Sequence, residues 1–422
     1  MRKLRIAVVV GTFPSVSETF ILNQITDLVD RGHDVTIFSF RKGNTEIVHK
    51  SVSDYNLLDK TVFNPQAPTS KTARVAGAVS FIVKNISQLG LRKLFGIINP
   101  FRNTREVLNL KICYLAKWFF TREAFDIVHV HFAGNAIDIA MLKERGLLGK
   151  AKLVTSFHGF DIIPSRITEY NVIYDRVFKQ TDIFTGNSQY TLDLLSKTVI
   201  DKKKVFLLPE ALRTNQFSRK KDNVEAQNDK NTVNILFCGR LVEFKAPDVA
   251  VEIMRVLVCE RKITNIKLFI IGSGDLQKKL EELITRYGLY DHIFLLGGRT
   301  QEEVVEALSK ADIFLLPGVH EALTDRAENQ GLVIQEAQAM ELPVVVSDAG
   351  GMKYGLIDGE TGFVVKQKDI QGFANKLELL IQNKQLRIKM GAAGSNFVKQ
   401  YFDTVVVGNT LEQLYYSVLN EV

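Results

Sequence analysis

The chain has 422 residues, 54 Lys plus Arg against 47 Asp plus Glu, and a formal charge of +7. It is 46% hydrophobic and 24% charged, a balance that excludes collagen, wholesale disorder and a small disulfide scaffold. At about 100–200 residues per domain, two domains are expected, each large enough to bury its own core.

The first forty residues set a pattern. A β-branched run over 5–10 meets the turn Gly11-Thr-Phe-Pro14, and an amphipathic helix follows from Phe20 to Asp30, closed by Gly32. A second strand is expected at Val35–Phe40. Buried strands alternating with helices predict a parallel α/β sheet. The strand-like start, directly after Met1-Arg2-Lys3, reads as structure rather than a cleaved leader.

Between Lys60 and Arg105 lie eight basic residues and no acidic one. The rest of the chain carries 46 basic against 47 acidic residues, so the whole charge excess sits in this stretch. Residues 72–101 mix basic side chains with Val75, Val79, Ile82, Ile86 and Leu89 at helical intervals, followed by Leu94, Phe95, Ile97 and Ile98. Such a segment is either a basic amphipathic helix for anionic lipid or an N-domain helix with a solvated face.

Strands return at Ile127–Phe132, Lys152–Phe157 and Ile183–Gly186. The polar run Ser218–Asn231 predicts an interdomain linker. Alternation restarts at Val233–Cys238, Ile266–Ile271, His292–Leu296, Asp312–Leu316 and Pro343–Ser347, and a last helix is expected at Thr410–Leu419. The expected domains are 1–217 and 218–401, with 402–422 packing back on the first. Cys113, Cys238 and Cys259 are few and scattered, which fits a reducing compartment and argues against a thiolate metal site. No uncharged stretch approaches the ~20 residues of a membrane span.

Four features can carry chemistry. In Glu328-Asn-Gln-Gly-Leu-Val-Ile-Gln-Glu336 the second glutamate lies about one turn inside a helix expected at Gly331–Met340. The helix start offers unpaired N–H groups to a diphosphate, and side chains lean toward that end, so Glu336 can accept from ribose hydroxyls. Glu328, ahead of the helix, can hold sugar hydroxyls. Both glutamates can equally be solvated. Arg240 and Lys245 follow the strand ending at Cys238, where an anion would lie, although most such cations are surface residues. His158, in Thr155-Ser-Phe-His-Gly-Phe-Asp161, ends a first-domain strand and can meet a sugar hydroxyl or phosphate. His129 and His131 are assigned to structure. Gly272-Ser-Gly274 is a weak dinucleotide fingerprint, since Gln277 replaces the third glycine. With no Asp-x-Asp and no metal-spaced cluster, a metal is not expected.

Together these pieces resemble the retaining, nucleotide-sugar-dependent glycosyltransferases of family 4, whose GT-B fold has two facing Rossmann-like domains. The resemblance rests on Gly239-Arg240 with Lys245, Gly272-Ser-Gly274, Ala311-Asp-Ile-Phe-Leu-Leu-Pro317, Glu328 with Glu336, Gly350-Gly351 and Asp358-Gly-Glu-Thr-Gly362. Phe13-Pro14-Ser-Val-Ser17-Glu-Thr-Phe20, Leu22-Asn-Gln24, His131-Phe-Ala133 and His158-Gly-Phe-Asp161 resemble the branch that assembles colanic acid and similar exopolysaccharides.

The resemblance implies that Arg240 and Lys245 bind the donor diphosphate, Glu336 the ribose and Glu328 the donor sugar, with His158 across the cleft. It adds Gly11, Gly272, Gly274, Arg299, Gly331 and Leu332 to the donor site and implies no metal or other cofactor. It further implies a UDP-sugar donor, a lipid-linked glycan acceptor, and a peripheral position at the inner face of the cell membrane. Arg74, Lys84, Arg92 and Lys93 would meet that anionic surface, and nucleic acid is not needed as a partner. Three positions depart from the family pattern: Met352-Lys-Tyr354 replaces an apolar-Pro-Glu run, and Ala246 and Ala211 stand where Gly is usual. Two other readings stay open, a catalytically silent homologue that binds sugar or aids assembly, and a nucleotide-dependent oxidoreductase.

Overall fold

A computed structural model describes residues 2–15, 18–45, 48–99, 101, 104–120, 124–217 and 232–420. The expected linker, Val16, Ser17 and Arg102 lie outside the described residues.

The first sheet has seven strands: β1 (Arg5–Phe13), β2 (Asp34–Lys42), β3 (Thr61–Phe63), β4 (Ile127–His131), β5 (Lys152–Phe157), β6 (Ile183–Gly186) and β7 (Val205–Leu207). Their order is β3-β2-β1-β4-β5-β6-β7, and every pairing is parallel. β4 is buried at every position, as expected of a strand covered on both faces by helices. The second sheet contains β8 (Val233–Cys238), β9 (Ile266–Ile271), β10 (Ile293–Gly297), β11 (Ile313–Leu316), β12 (Val344–Ser347) and β13 (Gly362–Val365). It is also parallel, ordered β10-β9-β8-β11-β12-β13.

Each sheet reverses its direction of growth once, beside β1/β4 and beside β8/β11. Ligands of open parallel sheets sit beyond the carboxyl ends of strands at such a switch point. The chain leaves β8 directly into Gly239-Arg240 and leaves β11 into the loop that carries Glu328. In the first domain β4 ends at His131 and β5 ends just before His158. The topology thus delivers the candidate residues before any side-chain contact is considered.

Helix α1 (Thr19–Asp30) buries Ile21, Leu22, Ile25 and Leu28 on one face of the first sheet. The same cluster takes in Val407, Leu411, Tyr415 and Val418 from the terminal helix α6 (Thr404–Asn420). The chain crosses back through Leu212, whose N–H donates to Phe402 O and whose carbonyl accepts from Thr404 N. Between α1 and α6 lie α2 (Lys71–Ile98), α3 (Ala133–Glu144), α4 (Gln301–Lys310) and α5 (Leu332–Ala339). Among the described residues no helix is long and apolar enough to cross a membrane.

Candidate active site

The two domains enclose a cleft of about 430 Å³. Lining it are His158 and Glu210 from the first domain, and Arg240, Lys245, Glu328, Gly331, Leu332 and Glu336 from the second. Residues separated by nearly two hundred positions therefore converge on one space.

On the second domain, α5 is preceded by Gly331, whose φ of 75° only glycine adopts without strain. A β-carbon there would also press on Glu328 Cγ at 3.2 Å. No side chain caps this helix and no acidic residue occupies its first turn. Gly331, Leu332 and Val333 line the cleft at this uncapped helix start, the position at which backbone amides can take an anion.

Glu336 lies inside the helix, buried, accepting from Gln301 Nε2 at 3.1 Å. Burial raises its pKa more than Gln301 and Lys245 lower it. Glu328 forms an ion pair with Lys245. That pair must open for the lysine to reach a phosphate and the glutamate a sugar. Arg240 stacks over the buried Phe244 ring at 5.5 Å.

Glycines shape this wall from behind. A β-carbon on Gly350 would lie 2.1 Å from Glu328 O, and one on Gly351 would lie 1.6 Å from Asn329 O. The Gly-Gly pair thus lets the chain back directly onto the glutamate loop. Gly272 and Gly274 do the same for the cation loop. Their β-carbons would strike Gly239 O at 1.9 Å and Leu241 O at 2.6 Å, and Leu241 N donates to Ser273 O. They do not line the cleft, and their place beneath Gly239–Leu241 explains them without a dinucleotide. Gly11 and Arg299 also stand outside the lining. Gly11 faces Asn135, and Arg299 pairs with Glu303 at 2.9 Å.

Across the cleft His158 is fixed on all sides. Phe20 and Phe132 pack against its ring, with centroids at 4.7 and 4.8 Å. Its Nε2 meets His131 Nδ1 at 3.0 Å and its Nδ1 meets Glu210 Oε1 at 3.2 Å. Burial lowers the pKa of His129 to about 3 and that of His131 well below the usual value, so both rings are neutral. Gln24 Nε2 contacts His129 Nδ1 and His131 Nε2, and as donor to both it leaves the hydrogen of His131 on Nδ1. His131 then donates to His158, which donates in turn to Glu210. Glu210, which only accepts, calls for a hydrogen on His158 Nδ1, and His131, expected to be structural, donates to the other ring nitrogen. Asp161 closes the loop below, accepting from the N–H groups of Ala133, His158 and Gly159.

Besides Glu210, three residues to which the sequence reading gave no role complete the site. Gln330 accepts from Glu210 N at 2.7 Å and donates to Glu210 O at 3.0 Å, which joins the glutamate loop to the segment that holds His158. Asn187 Nδ2 donates to Glu210 Oε1 at 2.9 Å. Arg326 lines the cleft between Phe244 and Phe160. Contact between the domains is also direct, since a β-carbon on Gly159 would overlap the Asn329 amide.

The departures from the family pattern have local explanations. Ala246 adopts φ 53° and ψ 51°, the left-handed conformation that glycine takes freely, at a cost of about 1 kcal/mol. Ala211 is not among the positive-φ residues, so its β-carbon strains nothing. Tyr354 sits on a 3₁₀ turn outside the cleft lining, with Lys353 over its ring.

Among the described residues, none of the basic stretch lines this cleft. Helix α2 kinks at Gly90 and buries Ala78, Phe81 and Leu89, while Val75, Val79, Val83 and Ile86 form an exposed apolar row. The five-residue face drawn from the sequence therefore splits: Leu89 belongs to the core, Ile82 is partly buried, and Val83 joins the exposed side. Past the kink Leu91 is 87% and Phe95 62% exposed. Lys84 and Arg92 are exposed and Lys93 is partly buried, whereas Arg74 turns back to the Pro68 and Thr69 carbonyls.

Two facing Rossmann-like domains with a cleft between them define the GT-B fold. The family models agree: residues 17–216 match Glycosyltransferase Family 4 and residues 218–397 match Glycosyl transferases group 1. The amylovoran biosynthesis glycosyltransferase AmsK of Erwinia amylovora is 32% identical over 374 residues, covering 88% of this chain and 89% of its own. A protein of Escherichia coli assigned to colanic acid biosynthesis, WcaL, is 29% identical over 371 residues, with the same coverage. The chain belongs to this glycosyltransferase family. Among solved structures, HepE of Anabaena with UDP and glucose superposes with a TM-score of 0.69 at 16% identity, over 98% of this chain and all of that one.

Proposed function

We propose that the protein is a retaining transferase that moves a hexosyl group from a UDP-sugar to a growing, lipid-linked bacterial exopolysaccharide. The observation that carries this reading is the convergence of Arg240, Lys245, Glu328, Glu336 and the α5 amides on one cleft opposite His158. Support for the pathway comes from AmsK and WcaL, and for the nucleotide from HepE with UDP.

In this reading Arg240, Lys245 and the Gly331–Leu332 amides stabilise charge developing on the leaving diphosphate. Glu336 accepts from the ribose and Glu328 holds the sugar. The bond from the anomeric carbon to the phosphate oxygen breaks while the acceptor oxygen forms its bond on the same face. The acceptor proton passes to the departing phosphate, so no paired carboxylate is needed and configuration is retained. His131, His158 and Glu210 form a fixed wall that positions the sugar. No metal is required by these steps.

The exposed apolar row and cations of α2 support a reading in which the acceptor side of the first domain meets anionic lipid at the inner face of the membrane. The test of the reaction is nucleotide release from a panel of UDP-sugars, with the product anomer read by NMR. Turnover with retained configuration and indifference to chelator are expected. An inverted product, or chelator inhibition reversed by metal, would contradict the mechanism.

A further inference from the structure

The reaction above gives no task to Arg326, the arginine of the loop Val319–Asn329 that leads into Glu328. Three cations surround a single buried ring: Arg326 Cζ lies 4.8 Å, Arg240 Cζ 5.5 Å and Lys245 Nζ 6.0 Å from the Phe244 centroid. All three line the cleft. The other face of Arg326 meets Phe160 of the first domain at 5.3 Å.

The carboxylates facing Arg326 are engaged elsewhere. Glu321 takes a hydrogen bond from Thr324, and Glu328 pairs with Lys245. Among the described residues neither Arg240 nor Arg326 has a carboxylate partner. Burial and the neighbouring Arg240 both lower the Arg326 pKa, so its charge is held at a cost that a bound anion would offset.

The loop is built to present it. Glu321 N donates to Arg326 O at 2.8 Å and Asp325 N to Glu321 O at 2.9 Å, closing a tight turn. Ala322 N is tied to Glu243 Oε1 at 2.8 Å, and Thr324 O accepts from Ser165 Oγ of the first domain at 2.7 Å.

We infer that Arg326 is a third cation of the diphosphate seat, delivered by this loop beside Arg240 and Lys245. A diphosphate, with two or three charges, matches two unpaired guanidiniums and a lysine that can be released from Glu328. A single carboxylate would leave one of them unanswered. The inference rests on the cleft being a nucleoside-diphosphate-sugar site, and it gives that site a contact outside the motif residues.

The test is isothermal titration of the full chain with inorganic pyrophosphate at low ionic strength without divalent metal. Wild type is expected to bind, and Arg240→Ala to lose that binding. Arg326→Ala and Arg326→Gln should each weaken it about tenfold or more, the scale of charge-assisted hydrogen bonds. Arg326→Lys should return affinity to within about threefold of wild type, and thermal unfolding would confirm that each variant is folded. If the Ala and Gln variants bind within twofold of wild type while Arg240→Ala has lost binding, the role of Arg326 fails and the cleft assignment stands. Equal losses in the Lys and Ala variants would also overturn it. No binding by wild type would overturn both.

Discussion

Glu336 shows how burial sets the conditions under which a side chain can work. It is shielded from water, and its one hydrogen bond from Gln301 does not compensate for the lost hydration. Its pKa is therefore raised above the ordinary 4.5. The folded state holds that proton more tightly than the unfolded chain, so this group favours folding most at low pH. Donor binding responds in the opposite sense, because a protonated carboxyl is a poorer acceptor for ribose hydroxyls. The donor KM should rise as pH falls through a point above 4.5, and Glu336→Gln should remove that limb while weakening donor binding at every pH. Initial rates between pH 4.5 and 8 would check this; an unchanged acid limb in the variant would contradict it.

Residues differ in how far the sequence discloses them. Arg240, Lys245, Glu328 and Glu336 stand at strand ends and a helix start, where position alone suggests an anion site. His131 had a usable signal: it alternates with His129 along β4, so both project to one face, and the next strand ends beside them at His158. Arg326, Gln330 and Asn187 had none. A single arginine, glutamine or asparagine in a loop has no periodicity, and its partner is fixed only when two sheets meet.

At the scale of elements, the alternation of short buried runs with amphipathic segments made both parallel sheets readable, since period and length decide between strand and helix. Helix α2 was readable as a helix but not in its facing. Val75, Val79, Ile82, Ile86 and Leu89 fit helical spacing, yet which apolar row packs inward depends on α2's neighbours. Phe81 meets Phe120 edge to face at 5.4 Å, and that contact turns Val75, Val79, Val83 and Ile86 outward. The outward row makes a specific claim. Co-sedimentation with vesicles rich in phosphatidylglycerol should fall about fivefold for each of Lys84→Gln and Arg92→Gln. A Val79→Asp, Val83→Asp pair should abolish it. Wild-type binding by the charge variants would remove α2 from the membrane contact.

Across the whole molecule, the domains are coupled by specific side-chain contacts. Gln330 grips both backbone groups of Glu210, Asn329 fills the space above Gly159, and α6 reaches back so that Tyr415 OH lies 2.6 Å from His129 Nδ1. The glutamate loop and the histidine wall therefore keep one register. Gln330→Ala strands a partly buried amide and frees that register, at a cost of about 1–3 kcal/mol. Turnover should fall about tenfold with donor affinity within a few fold and circular dichroism unchanged. Wild-type turnover would show that the clasp does not serve the reaction.

The central claim is that Arg240 and Lys245 stabilise a leaving diphosphate in this cleft. Once a donor is found by UDP release, turnover in Arg240→Ala and Lys245→Ala tests it most directly. Each variant should retain its fold and lose about a hundredfold or more in turnover, the scale of removing one preorganised donor to a developing anion. Full turnover in either would contradict the assignment.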